Sequence, residues 1–185
     1  MPHRSKRVGD EFSHLPAVLI SGAFFWVIAY TIIMIYFAAD HRGFQLKEIL
    51  KQTLIVQGYP VEDMGALRFD ETDDYVDFAK AAVEKIGDNP GLHKGIFVCG
   101  SGHGMDMVAN KYKNIRAVLG YNRYVAVQSR QHENANILVL ASDWVKDKEA
   151  QDIMSDWLNA EYTSEERHAR RLTKIGEIEK KNFKV

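Results

Sequence analysis

The chain's single cysteine ends an apolar run and is followed at once by a glycine-rich turn, FVCGSGHGMD at residues 97–106. Glycines let a backbone turn sharply and bring its amides toward a ligand. A thiol at a strand end beside a helix start is expected to have its pKa lowered from about 8.5 into the range of about 3.5 to 7.5. We therefore predict that Cys99 acts as a base and that Ser101 holds a substrate oxygen.

The amides of this turn, at Ser101, Gly102 and Gly104, are predicted to stabilise an oxyanion. The turn is not a dinucleotide-binding G-x-G-x-x-G loop, because Met105 stands where the third glycine is needed, and no G-K-[ST] follows to make a phosphate-binding Walker loop. The alternative interpretation is an unreactive buried cysteine beside a tight turn.

A second group of polar residues, Asp40-His41-Arg42-Gly43, follows the apolar run MIYFAA. A carboxylate, an imidazole and a guanidinium at a strand-to-helix turn can bind sugar hydroxyls and phosphate, because histidine titrates near neutral pH and helix N-termini attract anions. The alternative is that Asp40 only caps the following helix.

A third group is split between QHENAN at residues 131–136 and RHARR at residues 167–171. Arg167 and Arg171 are four residues apart, so both lie on one helix face and can hold one phosphate. Taken alone, the charged run is typical of a solvated helix face, and a lone His132 is more often structural than catalytic.

Composition narrows the class of protein. With 185 residues, 46% of them hydrophobic and 26% charged, the chain is predicted to form one globular domain. The 24 basic and 25 acidic residues nearly balance, which argues against a general nucleic-acid binder. One cysteine and no zinc-ligand spacing predict a reducing compartment, the cytoplasm, and no structural metal. No cofactor is expected.

The beginning of the chain is an apolar extension, residues 1–33, before the predicted domain at residues 34–185. Residues 15–39 carry no charge and follow a basic stretch, so their length alone would fit a membrane span, which needs roughly 20 apolar residues. Three interpretations stay open: a start codon assigned too far upstream, with Met34 the true start; a membrane anchor or uncleaved signal formed by residues 15–33; or an extra helix packed on the domain or on an oligomer.

The elements that must position these groups alternate between strands and helices. Short apolar runs predict strands at 34–39, 61–64, 95–99, 116–119 and 137–141. Helical stripes lie between them at Leu46, Ile49, Leu50, Thr53 and Leu54, and at Tyr75, Phe78, Ala79, Ala82 and Ile86, and a final helix is predicted at 164–184. This alternation predicts a parallel sheet covered on both faces, with ligands bound beyond the carboxyl ends of its strands.

Six segments together resemble the ribose-5-phosphate isomerase B family, which includes the galactose-6-phosphate isomerase subunits. They are MIYFAADHRGFQLKE, DMGALRFDETDDY, GIFVCGSGHGMDMVANK, IRAVL, SRQHENANILVLA and ERHARR. The resemblance covers residues 34–183, and its C-G-[ST]-G-x-G-M-x-x-x-A-N-K block is the most specific part. It implies a Rossmann-like three-layer α/β/α sandwich with a five-stranded parallel sheet, and a metal-independent aldose-ketose isomerase.

The resemblance also implies roles for individual residues. His132 and Asp40, with help from Ser101, would open the sugar ring, and Cys99 would move a proton between C2 and C1. The remaining implied substrate contacts are His41, Gly100, Gly102, Gly104, Asn110, Arg167 and Arg171, with Asp73, Tyr75 and Lys111 nearby. The arginines would come from the neighbouring subunit of a homodimer or homotetramer with shared active sites.

Two positions depart from the family pattern. Glu133 stands where the family usually has asparagine, and Asp143 stands where it usually has arginine, so each adds negative charge near the expected phosphate. Three consequences of the lost arginine stay open: weaker phosphate affinity, a different sugar, or compensation by Arg42 or Arg123. Ribose 5-phosphate is the expected substrate. The alternatives are a six-carbon sugar phosphate such as allose or galactose phosphate, a Cys99–His132 hydrolase or transferase, and a catalytically silent sugar-phosphate-binding subunit.

Overall fold

The structure, a computed structural model, describes residues 33–183 of the chain. The predicted N-terminal extension, apart from Ile33, lies outside the described residues. The strands are β1 Ile35–Ala39, β2 Val61–Asp63, β3 Lys94–Cys99, β4 Ala117–Leu119 and β5 Ile137–Ala141. The helices are α1 Phe44–Val56, α2 Tyr75–Gly87, α3 His103–Ala109, α4 Arg123–Glu133, α5 Asp147–Asn159 and α6 Glu166–Asn182.

All strand pairs of the sheet are parallel, and the strand order is β2-β1-β3-β5-β4. The order reverses between β1 and β3, because the chain goes from β1 to β2 on one side and then crosses to β3 on the other. A reversal of this kind leaves a crevice at the carboxyl ends of the two strands, where α/β proteins bind ligands. The predicted α/β class and the five parallel strands are confirmed.

Side chains that alternate along the strands build two separate cores, one on each face of the sheet. One core joins α1, α4 and α5 to the sheet and contains Leu50, Ile153 and Trp157. The other joins α2 and α3 to the opposite face and contains Val83, Met105 and Cys99. The cysteine thiol therefore faces α2 and α3, inside a packed layer.

Helix boundaries follow from capping residues in the sequence. The side chain of Asp74 accepts a hydrogen bond from the Val76 amide at 2.9 Å, and that of Asn122 accepts one from the Val125 amide at 2.9 Å, so α2 and α4 begin at these caps. Asn134, with φ of 48°, ends α4 in the left-handed conformation that asparagine tolerates. The final helix begins and ends within two residues of its predicted bounds.

Among residues 33–183, no helix is both long enough and apolar enough to cross a membrane.

Candidate active site

Asp40 and Cys99 face each other at the reversal of strand order. Ala39, the last residue of β1, is paired with Val98 of β3, so the residues that follow them, Asp40 and Cys99, are neighbours at the carboxyl ends of the two strands. Neighbouring strands are about 4.8 Å apart. Both side chains are almost fully covered, with 6% of Asp40 and 4% of Cys99 exposed. The two predicted proton-transfer residues are therefore together.

The glycine-rich turn wraps around the thiol. The Gly102 amide donates a hydrogen bond to Cys99 Sγ at 3.1 Å. Gly102 has a φ of +78°, and a Cβ on it would lie 2.4 Å from Leu119 Cδ1, so both its conformation and its close packing require glycine. The turn thus brings a backbone amide to the sulfur, whereas the role of the turn amides toward an oxyanion stays a prediction.

The expected lowering of the Cys99 pKa is wrong for the free chain. Burial raises the pKa of this thiol above its ordinary value, and the Asp40 carboxylate raises it further, because both disfavour the thiolate. Hydrogen bonds from the amides of Gly102, Met105 and Ser101 lower the pKa and offset this only in part. Sequence spacing identified the amides but not the desolvation, which depends on how α2 and α3 cover the strand end.

Asp40 is buried beside the helix it precedes. Its Oδ1 accepts a hydrogen bond from the Gly43 amide at 2.9 Å, in the turn before α1. The N-cap of α1 is Gly43 itself, so the expectation that Asp40 caps this helix is wrong. Burial raises the pKa of the Asp40 carboxyl, and the Gly43 amide partly opposes this. A carboxyl with a raised pKa is suited to exchange protons with a substrate hydroxyl.

His41 is held by Asp73. Asp73 Oδ1 lies 2.7 Å from His41 Nδ1 and accepts the His41 backbone amide at 3.0 Å. The hydrogen bond to Asp73 raises the pKa of His41, which favours the imidazolium. The other oxygen of Asp73, Oδ2, is buried and has no hydrogen-bond partner among the described residues. The sequence suggested a place near the sugar for Asp73 but not its direct contact with His41.

Arg42 lies across the glycine turn and forms an ion pair with Asp143. A Cβ on Gly100 would lie 2.5 Å from Arg42 Cζ, so the guanidinium rests directly on Gly100. Ser142 Oγ donates a hydrogen bond to the Arg42 carbonyl at 3.0 Å. These contacts join the turns that follow β1, β3 and β5.

Of the two arginines expected to compensate for Asp143, Arg42 is at this edge of the sheet. Arg123 is instead paired with Asp156, its Nη2 lying 3.0 Å from Asp156 Oδ1.

Tyr75 and Asn110 complete the surroundings of the turn. A Cβ on Gly104 would lie 2.5 Å from the Tyr75 ring, so the ring covers the start of α3. Asn110, predicted to bind substrate, donates from Nδ2 to the Ala117 carbonyl at 3.0 Å and accepts the Ala117 amide at Oδ1, also at 3.0 Å. Asn110 therefore connects α3 to β4 in the free chain. Lys111 is exposed beside it.

His132 lies at the amino ends of the strands, opposite the carboxyl ends that carry Asp40 and Cys99. Helix α4 starts after the carboxyl end of β4 and returns to the amino end of β5, a path of about 16 Å for its 11 residues. His132 is in its last turn, so one chain does not bring His132 to Cys99. The Cys99–His132 nucleophile pair of a hydrolase is not formed within one protomer.

The two predicted phosphate-binding arginines lie near His132. Thr163 donates its backbone amide to the Gln131 carbonyl at 3.0 Å, which joins the segment before α6 to the last turn of α4. Arg167 and Arg171 are both exposed in the first turns of α6, and Arg167 forms an ion pair with Glu165 at 2.9 Å. Within one chain, the predicted site residues therefore form two separate groups. One lies at the carboxyl ends of the strands, and the other lies near the last turn of α4 and the start of α6.

In the part of the chain that the structure describes, no three or more histidine, cysteine, aspartate or glutamate side chains are grouped so that they could hold a metal ion.

A family model and individual relatives of known sequence point to the same family of sugar isomerases. The family model described as Ribose/Galactose Isomerase matches residues 35–175. A probable ribose-5-phosphate isomerase B of Mycoplasma genitalium is 41% identical over 146 residues, which cover 79% of this chain and 95% of the relative. Ribose-5-phosphate isomerase B of Escherichia coli is 35% identical over 147 residues, 80% of this chain and 97% of the relative.

Solved structures of such relatives have the same fold. The crystal structure of the Mycoplasma genitalium ribose-5-phosphate isomerase B with bound ribulose-5-phosphate matches with a TM-score of 0.79 at 40% identity, covering 81% of this chain and 98% of that one. The enzyme of Clostridium thermocellum matches with a TM-score of 0.77 at 41% identity, covering 80% and 99%. The fold, the paired Asp40 and Cys99 and these matches agree, and the chain belongs to the ribose/galactose isomerase family.

Proposed function

We propose that this protein is an aldose-ketose isomerase that interconverts D-ribose 5-phosphate and D-ribulose 5-phosphate, a step of the pentose phosphate pathway. The observation that carries the proposal is the buried pair of Asp40 and Cys99 inside a turn of backbone amides. Moving a proton between two carbons of a sugar requires such a pair of proton-transfer groups. The ribulose-5-phosphate bound to the Mycoplasma genitalium relative supports the choice of sugar.

The reaction begins with ring opening. Asp40 and His132, assisted by Ser101, exchange protons with the ring oxygen and the C1 hydroxyl, which gives the open-chain aldehyde. Burial raises the pKa of Asp40, so this carboxyl accepts and returns a proton more readily than an exposed one.

Cys99 then transfers hydrogen between the two carbons. The raised pKa keeps most of the Cys99 thiol protonated at neutral pH, and the fraction present as the thiolate removes the proton on C2, so that the C–H electron pair forms the C1–C2 double bond of an enediolate. The same sulfur returns the proton to C1, while a proton passes from O2 to O1, so nothing is oxidised or reduced overall. The Ser101, Gly102 and Gly104 amides stabilise the negative charge of the enediolate.

The phosphate is held by His41 of one protomer and by Arg167 and Arg171 of its partner in a homodimer or homotetramer. Cys99 and His132 lie at opposite edges of one chain, and a complete site needs both, so the second set of residues comes from another copy. Helix α6 also exposes Ile175 by 43% and Ile178 by 59%, apolar surface that a second copy would cover.

The chemistry also requires a reduced thiol. Because Cys99 is the only cysteine and acts as the base, a reducing compartment, the cytoplasm, is part of the same proposal.

Two acidic residues are the reason to consider a second candidate substrate. Asp143 neutralises Arg42 beside Gly100, and Glu133 follows His132, so the charge around the substrate differs from the family pattern. A six-carbon sugar phosphate, such as allose or galactose 6-phosphate, is the second candidate substrate.

The decisive experiment incubates the full-length protein with ribose 5-phosphate in heavy water with a chelator and follows the products by NMR. We expect ribulose 5-phosphate with deuterium at C1, because the hydrogen on Cys99 exchanges with solvent. Cys99→Ala, with an unchanged circular dichroism spectrum, should abolish turnover.

Other outcomes would redirect the proposal. Turnover of only six-carbon sugar phosphates would replace the substrate, and no turnover of either would indicate a silent binding subunit. Full activity of Cys99→Ala would overturn the assignment of the base.

A further inference from the structure

His168 is a buried titratable side chain that the proposed chemistry does not use. It lies in α6 between the two arginines of the phosphate site, and only 2% of it is exposed. Its ring stacks against that of His132, with centroids 4.1 Å apart and planes inclined by 34°. Buried polar groups normally have a hydrogen-bond partner, and this one also contacts a proposed catalytic imidazole.

A hydrogen bond holds the His168 ring to the segment before α6. Thr163 Oγ1 lies 3.2 Å from His168 Nδ1 and donates to the Gln131 carbonyl at 3.0 Å. Because Gln131 precedes His132, the same threonine connects the orientation of the His168 ring to the backbone that carries His132.

The surroundings of His168 disfavour the charged form of its ring. Burial lowers the pKa of His168, and the nearby His132, Arg167 and Arg171 lower it further, whereas Glu165 raises it. These groups come from both helices in contact with the ring, α4 and α6. A neutral ring can stack on His132 without charge repulsion.

We propose that His168 is a positioning residue for His132: its ring, fixed by Thr163, holds the His132 imidazole in the orientation that ring opening requires. His168 itself touches no substrate in this proposal. The kinetic part rests on the proposed isomerase function, whereas the orientation of His132 is a property of the free protein and is tested separately.

The kinetic test compares His168→Phe with His168→Leu in the full-length protein. Both fill the buried volume, but only phenylalanine keeps a flat ring against His132. We expect His168→Leu to lower kcat about tenfold with KM changed by less than about twofold, and His168→Phe to keep most of kcat. Equal values of kcat in the two variants would overturn the proposal and leave His168 a core residue.

The second test reads the stack directly by NMR. In the wild-type protein the His132 ring protons, assigned by their loss in His132→Gln, should be shifted by the ring current of His168, and the shift should persist in His168→Phe and vanish in His168→Leu. Absence of the shift in the wild-type protein would overturn the proposal. If instead the shift is present and no isomerisation occurs, only the proposed function fails.

Discussion

Two opposing effects act on the pKa of the Cys99 thiol. Its sulfur accepts the Gly102 amide at 3.1 Å, which favours the thiolate, but burial and the Asp40 carboxylate favour the thiol more strongly. The Asp40 carboxylate therefore disfavours a second negative charge on the sulfur. Because the thiolate is the reactive form, the reactivity of Cys99 should follow pH.

Alkylation by iodoacetamide measures this reactivity, since the chain has one cysteine. We expect the rate of alkylation to rise through the alkaline range, because the raised pKa keeps the thiol protonated at neutral pH. Asp40→Asn removes one cause of the raised pKa and should move the rate profile to lower pH. Coinciding profiles for the two proteins, followed by mass spectrometry, would show that the Asp40 charge does not reach the sulfur.

The protonation of His41 should make substrate binding depend on pH. Asp73 raises the pKa of His41, so the imidazolium persists to a higher pH than in a free histidine and is lost as pH rises through that raised pKa. In Asp73→Asn the imidazole should lose its proton at lower pH. We expect KM for the sugar phosphate to begin rising at lower pH in Asp73→Asn than in the wild-type protein.

The measurement is KM as a function of pH, with the exposed Asp77→Asn in α2 as the matched control. A KM profile in Asp73→Asn identical to that of the control would separate His41 from phosphate binding.

At the scale of elements, α1 fixes the loop that carries Asp73. Lys47 is fully buried, donates to Asp63 Oδ2 at the end of β2 at 2.5 Å, and donates to the Ala66 carbonyl at 2.8 Å. The Ala66 amide in turn donates to the Ala39 carbonyl at 2.6 Å. One lysine thus holds the chain after β2 against the end of β1, beside Asp40.

Removing this lysine should destabilise the fold. Lys47→Met leaves the half-buried Asp63 carboxylate with Lys51 as its remaining ion-pair partner, and we expect the free energy of unfolding to fall by about 3 kcal/mol, measured by urea denaturation. Lys148→Met breaks an exposed pair with Asp152 and should leave the unfolding curve unchanged. Equal stability of the two variants would contradict the role assigned to Lys47.

The strands and the site turns were predictable from sequence because their signals are local. Each predicted strand lies within one or two residues of the observed one, and the glycines around Cys99 indicated the turn that contacts the thiol. The pKa of Cys99 was not predictable, because it depends on the packing of α2 and α3 over a strand end. The contact between Asp73 and His41 likewise joins residues 32 apart, and no local pattern reports it.

At the scale of the whole molecule, the topology of the sheet explains why His132, Arg167 and Arg171 are separated from Asp40 and Cys99. In a parallel sheet each helix returns the chain from the carboxyl edge to the amino edge, so residues near the end of α4 lie away from the strand ends that hold Asp40 and Cys99. His132, Arg167 and Arg171 share the amino edge, joined through Thr163 and Gln131. A two-fold assembly would place this edge of one protomer against the carboxyl edge of its partner.

Mixing two inactive variants tests this shared site. In a dimer of Cys99→Ala with His132→Ala, one site carries both defects and the other carries neither, because each site takes its cysteine from one chain and its histidine from the other. Random exchange of subunits should therefore restore about a quarter of the wild-type activity. A mixture of Cys99→Ala with the double variant, which cannot form an intact site, is the control. If native mass spectrometry detects mixed dimers and activity stays absent, each chain works alone and His132 belongs to no shared site.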